Sequence, residues 1–440
     1  MNNYNTYDVA VMNYPLFDHK QNTEYLQNRI FASPMSDDAE VPIYVHIPFC
    51  DSLCDFCIYN RKFALQNSDI INKYVKALIK EIKLYSNYNY IKNRNIGSVF
   101  IGGGTPTVLN EIQIYQLIST LQECFKLKNC EFTVECNVGN ATDSKLTILK
   151  DLGVTRISTG IQTFDNEQRK KLHIQKNSND IVKWIENARK YQFEQISTDL
   201  IYGLPDTRVE HFLKDLKKAI NLSLDHISVY KLAAFAYTKL YKDVERGKYV
   251  FPSATTVEKI FYEAHQFLID NNFVLQSTQE YGKKGSKVKF WELTYDGYGD
   301  NLSFGVSSFG YMNGYCYQNE TDIYKYIEKI NSHMLPIERI SPRINDIQLQ
   351  ERALVMGFRK GFVAKDMFYY KFKKQISELF IHQIENQIKE GLLKERKNCY
   401  QLTPKGLYYQ GFISTEYMTS TFKNASSLKK KMCIGTHEMP

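Results

Sequence analysis

Three cysteines lie close together in a chain whose other cysteines are scattered. Cys50, Cys54 and Cys57 share one predicted loop, whereas the remaining six are spread from position 124 to position 433. Three thiolates on one loop can bind three irons of a [4Fe–4S] cube and leave the fourth iron open to a substrate. A structural zinc site, with His46 or a distant cysteine as fourth ligand, and buried cysteines without ligand roles are the alternatives. A second C-x-x-C step is absent and His46 falls inside a predicted strand, so we favour the iron–sulfur interpretation.

Short apolar runs that alternate with amphipathic stretches predict the elements that position these cysteines. In the first amphipathic stretch, Ile71, Val75, Leu78 and Ile82 recur in steps of three and four, which is typical of a helix. Strand then helix, repeated, implies an α/β fold with a parallel sheet. Six units are fewer than the eight of a complete barrel, so the sheet is either a partial barrel or doubly wound. The predicted strands are 43–47, 98–101, 131–135, 156–160, 197–201 and 226–230.

Both architectures place chemistry at the carboxyl ends of the strands, where several suitable residues fall. Residues 102–106, Gly-Gly-Gly-Thr-Pro, follow the second strand and allow the backbone to approach a ligand closely. Glu135 ends the third strand, Gln162 follows the fourth and Asp199 lies in the fifth. Taken singly, the glycine run could be a simple turn, and Glu135 could cap the helix that follows its strand. Six strand ends that meet at one place favour a functional site.

The rest of the chain predicts smaller units around this sheet. We predict an N-terminal arm at 1–40, a barrel at 41–235, a mixed extension at 236–340 that completes the site, a smaller C-terminal domain at 341–415 and a polar tail at 416–440. The C-terminal domain is mainly helical and winged-helix-like. Because no basic stripe accompanies it, we interpret it as a lid or brace and not as a DNA-binding module.

Composition and charge exclude several classes of protein. A net charge of +8 over 440 residues is too dilute to indicate a nucleic-acid partner. The sequence has no run of 18 apolar residues and no signal peptide, which predicts a cytoplasmic protein without a membrane partner. Nine cysteines are too few for a disulfide scaffold, so the cysteine cluster is better explained by metal binding or chemistry.

The cysteine motif resembles the radical SAM signature, Cys-x-x-x-Cys-x-x-Cys. The preceding Tyr-Val-His-Ile-Pro-Phe, with Phe56, narrows the resemblance to the oxygen-independent coproporphyrinogen III oxidase-like branch, over about residues 42–410. The resemblance implies a partial (β/α)6 barrel and a [4Fe–4S] cluster whose open iron binds S-adenosylmethionine (SAM). It also implies a second SAM and a flavodoxin- or ferredoxin-type electron donor. One electron from the cluster would split SAM into methionine and a 5′-deoxyadenosyl radical.

The same resemblance implies a set of binding residues. Cys50, Cys54 and Cys57 would bind the cluster, and residues from all six strands would bind SAM. The positions matched to the cluster-bound SAM are Tyr44, Gly103, Glu135 and Phe309; those matched to the second SAM are Phe56, Gly104 and Thr105; and those matched to SAM contacts in general are Gln162, Asp199 and Ala233.

The sequence departs from the family pattern in three places. The Gly-Cys pair that follows the third cysteine in the oxidase is Ile-Tyr here, ending at Tyr59. An arginine that pairs with a carboxylate of the second SAM is matched by Ile174, so either Lys171 or Lys176 substitutes or the second SAM binds differently. The haem-binding motif of the related haem chaperones is matched by residues 286–291, which keep an aromatic pair and lose the histidine.

Three functions remain open. The first is a class C radical SAM methylase-like enzyme, which uses the second SAM for methyl or methylene transfer to an sp² carbon of an aromatic or alkene substrate and needs no extra cysteine. The second is an enzyme that acts on a tetrapyrrole, by decarboxylation of coproporphyrinogen III or by anaerobic haem ring opening. The third is a non-enzymatic haem-delivery protein. Residues 305–309 and 317–319 resemble the catalytic core of the family, which favours an active enzyme.

Overall fold

The computed structural model of the chain describes residues 14–15, 29–31, 39–127, 129–233, 235 and 237–418. The predicted arm and polar tail fall mostly outside these residues. In chain order the strands are β1 Val41–Ile47, β2 Phe49–Cys50, β3 Lys62–Phe63, β4 Ile96–Gly103, β5 Glu131–Cys136, β6 Arg156–Gln162, β7 Gln195–Tyr202, β8 His226–Lys231, β9 Phe273–Ser277, β10 Glu280–Lys283, β11 Leu302–Phe304, β12 Phe309–Met312, β13 Tyr315–Asn319, β14 Ile337–Ile340, β15 Phe362–Ala364, β16 Leu393–Glu395 and β17 Cys399–Leu402.

Helices separate the strands from β3 to β8 and dominate the end of the chain. In chain order they are α1 Asp69–Ser86, α2 Asn89–Lys92, α3 Glu111–Cys124, α4 Asp143–Asp151, α5 Asn166–Lys171, α6 Ser178–Arg189, α7 Val209–Asn221, α8 Lys239–Glu245, α9 Ala254–Asp270, α10 Lys289–Thr294, α11 Ile323–Asn331, α12 Asp346–Gly357, α13 Lys365–Phe372, α14 Ile376–Lys389, α15 Pro404–Tyr408 and α16 Gln410–Glu416. Short 3-10 helices span Pro106–Val108 and Phe358–Lys360.

The core of the fold is a parallel sheet in which β1, β4, β5, β6, β7 and β8 lie side by side in chain order. Each crossover advances the sheet by one strand in the same direction, and there is no reversal of the kind that a doubly wound sheet requires. All six predicted strands are therefore confirmed, and the partial (β/α)6 barrel is the correct one of the two predicted architectures.

The two faces of this sheet differ in polarity because successive side chains point to opposite sides. On β5, Phe132 and Val134 are buried in the hydrophobic core, while Glu131, Thr133 and Glu135 lie on the other face. We call this second face the polar face. It carries Tyr44 and His46 of β1, Glu135 of β5, Arg156 of β6, Asp199 of β7 and His226, Ser228 and Tyr230 of β8.

The segment after β8 extends the sheet at both edges. β10 pairs antiparallel with β8, and β9 pairs antiparallel with β10. β11 crosses to the opposite edge and pairs parallel with β1. The segment then forms a small antiparallel sheet, β12-β13-β14, beside that edge. Residues 236–340 therefore complete the sheet around the site.

Two further regions pack on this framework. The C-terminal region runs α12, β15, α13, α14, β16 and β17, and its three strands pair antiparallel in the order β15-β17-β16; its interpretation as a winged-helix-like domain stays a prediction. Of the N-terminal residues that the structure describes, Tyr14, Ile30 and Phe31 are buried, and Phe31 packs against Tyr85 near the end of α1. In the described part of the chain, no helix is long and apolar enough to cross a membrane.

Candidate active site

The cysteine loop begins where β1 ends. Backbone hydrogen bonds from Gly104 N–H to Ile47 O (2.8 Å) and from Thr105 N–H to Phe49 O (2.7 Å) hold its first residues against the glycine loop after β4. Cys50 is buried, and the Thr105 hydroxyl lies 3.6 Å from its sulfur, within donor distance of a thiolate. Thr105 therefore contacts a predicted cluster ligand directly.

Arg61 ties the other two cysteines together. Its guanidinium donates to the carbonyl oxygens of Cys54 (2.8 Å) and Cys57 (2.9 Å). Burial raises the pKa of Cys50 to about 11 and that of Cys54 to about 12, and the Arg61 charge offsets these shifts only in part. The thiols are therefore held neutral, and iron cations are the natural charge partners that would convert them to thiolates.

Close packing explains why the glycine loop consists of glycines. Gly103 has a φ of +115°, and a Cβ there would fall 2.5 Å from the His46 ring. A Cβ on Gly104 would fall 3.0 Å from the Cys50 sulfur and 2.6 Å from Phe49 O. The backbone can approach the cysteine loop this closely only without side chains.

Two carboxylates with spare hydrogen-bonding capacity lie on the polar face. Glu135 accepts a hydrogen bond from Gly103 N–H at 2.9 Å. Burial raises the pKa of Glu135 to about 8, and the neighbouring Asp199 charge adds to this shift. Burial also raises the pKa of Asp199 to about 6. A hydrogen bond from Ser228 lowers the pKa of Asp199 in part, and the same hydroxyl donates to Glu280 at 2.7 Å. A cationic ligand between the two carboxylates would stabilise both.

A buried polar network lies beneath these carboxylates. Arg156 contacts Nδ1 of His226 at 3.3 Å, and Nε2 of His226 lies 3.4 Å from Glu280. Tyr230 donates to Glu280 at 2.9 Å. Burial, together with the Arg156 charge, lowers the pKa of His226, so the imidazole is neutral. Because Arg156 only donates, the proton of His226 is on Nε2, facing Glu280.

Gln162 is held in an uncommon backbone conformation. Its φ is +69°, at a bulge where the pairing of β6 with β7 shifts by one residue. A Cβ on Gly160 would fall 2.5 Å from the Gln162 side-chain nitrogen, so this side chain folds back over Gly160 at the end of β6. A strained residue at a strand end is typical of a binding position.

The loop at residues 305–308 is braced from behind by Glu81 of α1. This fully buried carboxylate accepts hydrogen bonds from Gly305 N–H (2.8 Å), Asn319 Nδ2 (2.7 Å) and the hydroxyl of Tyr326. Tyr74 donates to His46 O at 2.7 Å and accepts from Val306 N–H at 3.0 Å. The two catalytic-core motifs predicted from sequence, 305–309 and 317–319, are thereby fixed to the end of β1.

Asn60 joins this loop to the cysteine loop. Its side chain donates to Ser307 Oγ at 2.6 Å and to Thr321 O at 2.9 Å.

Three other predicted site residues lie around these loops. Phe309 follows the 305–308 loop as the first residue of β12 and is half-buried. The hydroxyl of Tyr44 is hydrogen-bonded to Nδ1 of His46 at 3.0 Å. Ala233 lies beyond the end of β8 and is exposed, with no hydrogen bond to the other predicted site residues in the described part of the chain.

Phe56 and Ile174 lie in one apolar cluster beside the cysteine loop. Both are half-buried and pack on Leu172, Ile201 and Leu240. Of the two cations that we considered as substitutes for the family arginine, Lys171 pairs with Asp206 at 2.9 Å and Lys176 is exposed. Arg169 is nearby, but its guanidinium already donates to the carbonyl oxygens of Ile161, Thr163, Gln175 and Lys176.

Residues 286–291, the match to the haem-chaperone motif, lead into α10, which begins at Lys289. Glu131 accepts hydrogen bonds from the N–H groups of Lys289 (2.7 Å) and Phe290 (3.2 Å). Phe290 packs against Phe100 with ring centroids 4.9 Å apart, and Trp291 stacks on Tyr295. The aromatic pair is thus explained by packing.

Sequence reasoning missed three residues that shape the site: Arg61, Glu81 and His173. Arg61 could have been recognised as a cation just after the cysteines. Glu81 could have been recognised because it falls three positions after Leu78, on the apolar face of α1. His173 lies in a turn without periodicity, and its contact with Asp55 in the cysteine loop gave no sequence signal.

The arrangement fits an iron–sulfur cluster and SAM. In the described part of the chain, no three His, Cys, Asp or Glu side chains converge on one point as a single metal ion would require. A cube is held differently, because each of its cysteines binds a different iron. The glycine cradle against Cys50 gives the cluster room, and the paired carboxylates suit the cationic sulfonium and ammonium groups of SAM.

Comparison with protein families and curated proteins shows which proteins the chain resembles. The Radical SAM superfamily matches residues 44–219. The chain is 29% identical to the heme chaperone HemW of Bacillus subtilis over 375 residues, 82% of this chain and 95% of the relative. It is 28% identical to the anaerobilin synthase of Escherichia coli O157:H7 over 84% of this chain and 82% of the relative. It is 26% identical to an oxygen-independent coproporphyrinogen III oxidase of Helicobacter pylori over 92% of this chain and 90% of the relative.

The fold agrees with these relatives. The solved structure of the coproporphyrinogen III oxidase HemN from Escherichia coli superimposes with a TM-score of 0.77 at 22% sequence identity, covering 92% of this chain and 95% of that chain. At this coverage the similarity in fold extends into the region beyond β8.

Proposed function

This chain belongs to the coproporphyrinogen III oxidase-like family of the radical SAM superfamily, and we propose that it is a radical SAM enzyme that acts on a tetrapyrrole. One observation carries the proposal. The similarity covers 82% to 92% of this chain, well past residue 219 where the Radical SAM match ends, and the three relatives are named for haem, anaerobilin and coproporphyrinogen III. The relatives therefore favour our tetrapyrrole interpretation over the methylase-like one that we placed first.

In the proposed enzyme Cys50, Cys54 and Cys57 bind the [4Fe–4S] cluster, while Gly103 and Glu135 bind SAM beside it. When bound, the reduced cluster supplies the electron that cleaves SAM to a 5′-deoxyadenosyl radical, which abstracts hydrogen from the substrate. The electron would come from a flavodoxin- or ferredoxin-type donor. Arg61 and Thr105 position the cluster ligands. Arg61 donates to two carbonyl oxygens of the cysteine loop, and the Thr105 hydroxyl contacts the sulfur of Cys50.

We propose one SAM, not two. The resemblance implied a second SAM beside Phe56, Gly104 and Thr105. The region of Ile174 argues against it, because the side chain is in an apolar cluster, Lys171 is paired and four of the five Arg169 N–H groups already donate to backbone carbonyls. A SAM carboxylate in this cluster would lack a buried cation, since Lys176 is exposed. Equilibrium dialysis of the cluster-loaded protein should give one SAM per cluster, and a stoichiometry of two would refute this part.

A haem-delivery protein is the second candidate, favoured by the similarity to HemW. Against it, the motif-equivalent residues 286–291 carry no histidine and are held by packing on Phe100 and Tyr295. The two functions differ in turnover. An enzyme converts many substrate molecules per chain, whereas a delivery protein retains haem stoichiometrically and cleaves little SAM.

The experiment is anaerobic reconstitution with iron and sulfide, followed by dithionite, SAM and either coproporphyrinogen III or haem. We expect 5′-deoxyadenosine together with a modified tetrapyrrole, identified by mass spectrometry. S-adenosylhomocysteine beside 5′-deoxyadenosine would support the methylase-like function instead. Intact haem bound without SAM cleavage would support delivery. Omission of the tetrapyrrole is the control, and SAM cleavage unaffected by either substrate would count against the proposal.

A further inference from the structure

His173 lies at the rim of the cysteine loop, in the turn between α5 and α6. Its Nδ1 is 2.7 Å from Oδ2 of Asp55, a residue between Cys54 and Cys57. The Asp55 side chain is 8% exposed, whereas that of His173 is 58% exposed. A buried carboxylate therefore fixes one edge of an imidazole whose other edge faces outward.

This contact determines which nitrogen of His173 is available. A carboxylate only accepts hydrogen bonds, so the proton of the neutral ring is on Nδ1 and the lone pair is on Nε2. Lys239 also donates to Asp55 Oδ2, at 2.6 Å, which keeps the carboxylate anchored. In the described part of the chain, Nε2 has no hydrogen-bond partner. Carboxylate, Nδ1–H and a free Nε2 form the arrangement by which proteins orient a metal-binding histidine.

An apolar surface adjoins this imidazole. Ile174 follows His173 directly and is half-buried in the cluster that includes Phe56. Tyr249 belongs to the same cluster, and the two lysines beside its ring, Lys248 and Lys171, are paired with Asp243 and Asp206. We call this the Phe56–Tyr249 surface. An apolar face beside the Nε2 lone pair of a histidine suits a flat, metal-bearing ring.

We propose that Nε2 of His173 is an axial ligand to the iron of a haem-type tetrapyrrole that packs on the Phe56–Tyr249 surface. This inference rests on the proposed function and narrows its substrate class to iron-bearing tetrapyrroles. A tetrapyrrole supplies four nitrogens to its iron, so one histidine from the chain completes the site. The contact of His173 with Asp55 brings the substrate to the edge of the loop that holds the cluster.

The test compares haem with iron-free protoporphyrin IX on cluster-loaded full-length protein. Binding is followed by quenching of protein fluorescence, and the haem iron is examined by electron paramagnetic resonance, which separates it from the cluster. We expect haem to bind the wild type with a histidine-ligated spectrum. In His173→Ala we expect that spectrum to disappear, haem affinity to fall at least tenfold and added imidazole to restore both. Iron-free protoporphyrin IX should bind the two proteins equally.

His333→Ala is the matched control, because His333 is an exposed histidine after α11 and outside the site; it should behave as wild type. An unchanged haem spectrum in His173→Ala would overturn the inference and leave the proposed function standing, since the tetrapyrrole would still bind. If neither haem, protoporphyrin IX nor coproporphyrinogen III binds the wild type, the proposed function fails and the inference with it. Iron and sulfide content of each variant shows that the cluster has been retained.

Discussion

Two buried carboxylate sites lie on either side of β1 and differ in how completely they are satisfied. Glu81, behind the 305–308 loop, accepts hydrogen bonds from Gly305, Asn319 and Tyr326. Glu135, on the polar face, accepts one from Gly103 in the described part of the chain, and it faces the like charge of Asp199. We refer to these regions as the brace and the polar face.

The difference separates structure from function. In the brace, donors of the protein hydrogen-bond to the Glu81 carboxylate. These hydrogen bonds hold the neighbouring loops in place. On the polar face, each carboxyl group has fewer donors in the described part of the chain and lies near another carboxyl group, which stabilises the fold less but leaves acceptors for a cationic ligand. Substitutions in the brace should therefore reduce stability, and substitutions on the polar face should reduce binding.

The largest effect should follow loss of a cluster ligand. In Cys54→Ala we expect the brown colour of the cluster and the formation of 5′-deoxyadenosine to disappear completely, because two cysteines cannot hold the cube. The thermal midpoint of the apoprotein should stay close to that of the wild type. Cys399→Ala, on β17 and outside the site, should keep full colour and cleavage. SAM cleavage at the wild-type rate by Cys54→Ala would contradict the cluster assignment.

The next effect should come from the brace. Glu81→Ala leaves two buried donors, Gly305 N–H and the Tyr326 hydroxyl, without an acceptor and creates a cavity, so we expect a loss of about 3–5 kcal/mol of unfolding free energy. Urea unfolding monitored by circular dichroism measures it. Lys76→Ala, on the exposed side of the same helix, should change stability by less than about 0.5 kcal/mol. If the two variants proved equally stable, the brace would have no structural role.

A smaller effect should appear as a pH dependence. Burial raises the pKa of Glu81 to about 7 from an ordinary 4.5. Between these values the folded chain binds a proton that the unfolded chain has released, so stability falls as the pH rises from 4.5 to 7 and stays lower above it. This group alone can contribute up to about 3 kcal/mol.

The pH effect is isolated by comparing wild type with Glu81→Gln, since the other buried carboxylates contribute equally to both proteins. Urea midpoints at pH 5 and pH 8 should differ more in the wild type than in the variant. Parallel pH profiles would mean that Glu81 titrates normally.

The sequence predicted the parallel sheet well and its surroundings poorly, for physical reasons. Each of the six strands is a local apolar run, and its end can be read from local residues such as Glu135. The brace joins Glu81 to Asn319, 238 positions apart, and no local pattern encodes that pairing. β11 has only three residues and takes its place from its partner β1, so its own sequence carries little signal.

The same limit applies to the site. Cys50, Gly103, Glu135 and Asp199 were recognisable because motif and strand end coincide. The contact between Asp55 and His173 spans 118 positions and joins a loop to a turn, neither of which has periodicity. The pairing of Lys171 with Asp206, a residue after β7, was likewise not predicted, because charge patterns do not reveal partners 35 positions apart.

The smallest effect should be the most specific one. Glu135→Gln keeps the acceptor for Gly103 N–H and removes the carboxyl group that a bound SAM cation would hold ionised, so we expect SAM to bind about tenfold more weakly, a loss of about 1.4 kcal/mol. Stability should be unchanged or slightly higher, because the repulsion between Glu135 and Asp199 disappears. Isothermal titration with cluster-loaded protein measures the first effect and urea unfolding the second, with Glu123→Gln on the exposed side of α3 as control. A variant that lost stability and kept SAM affinity would place Glu135 with the brace and remove the distinction between the two sites.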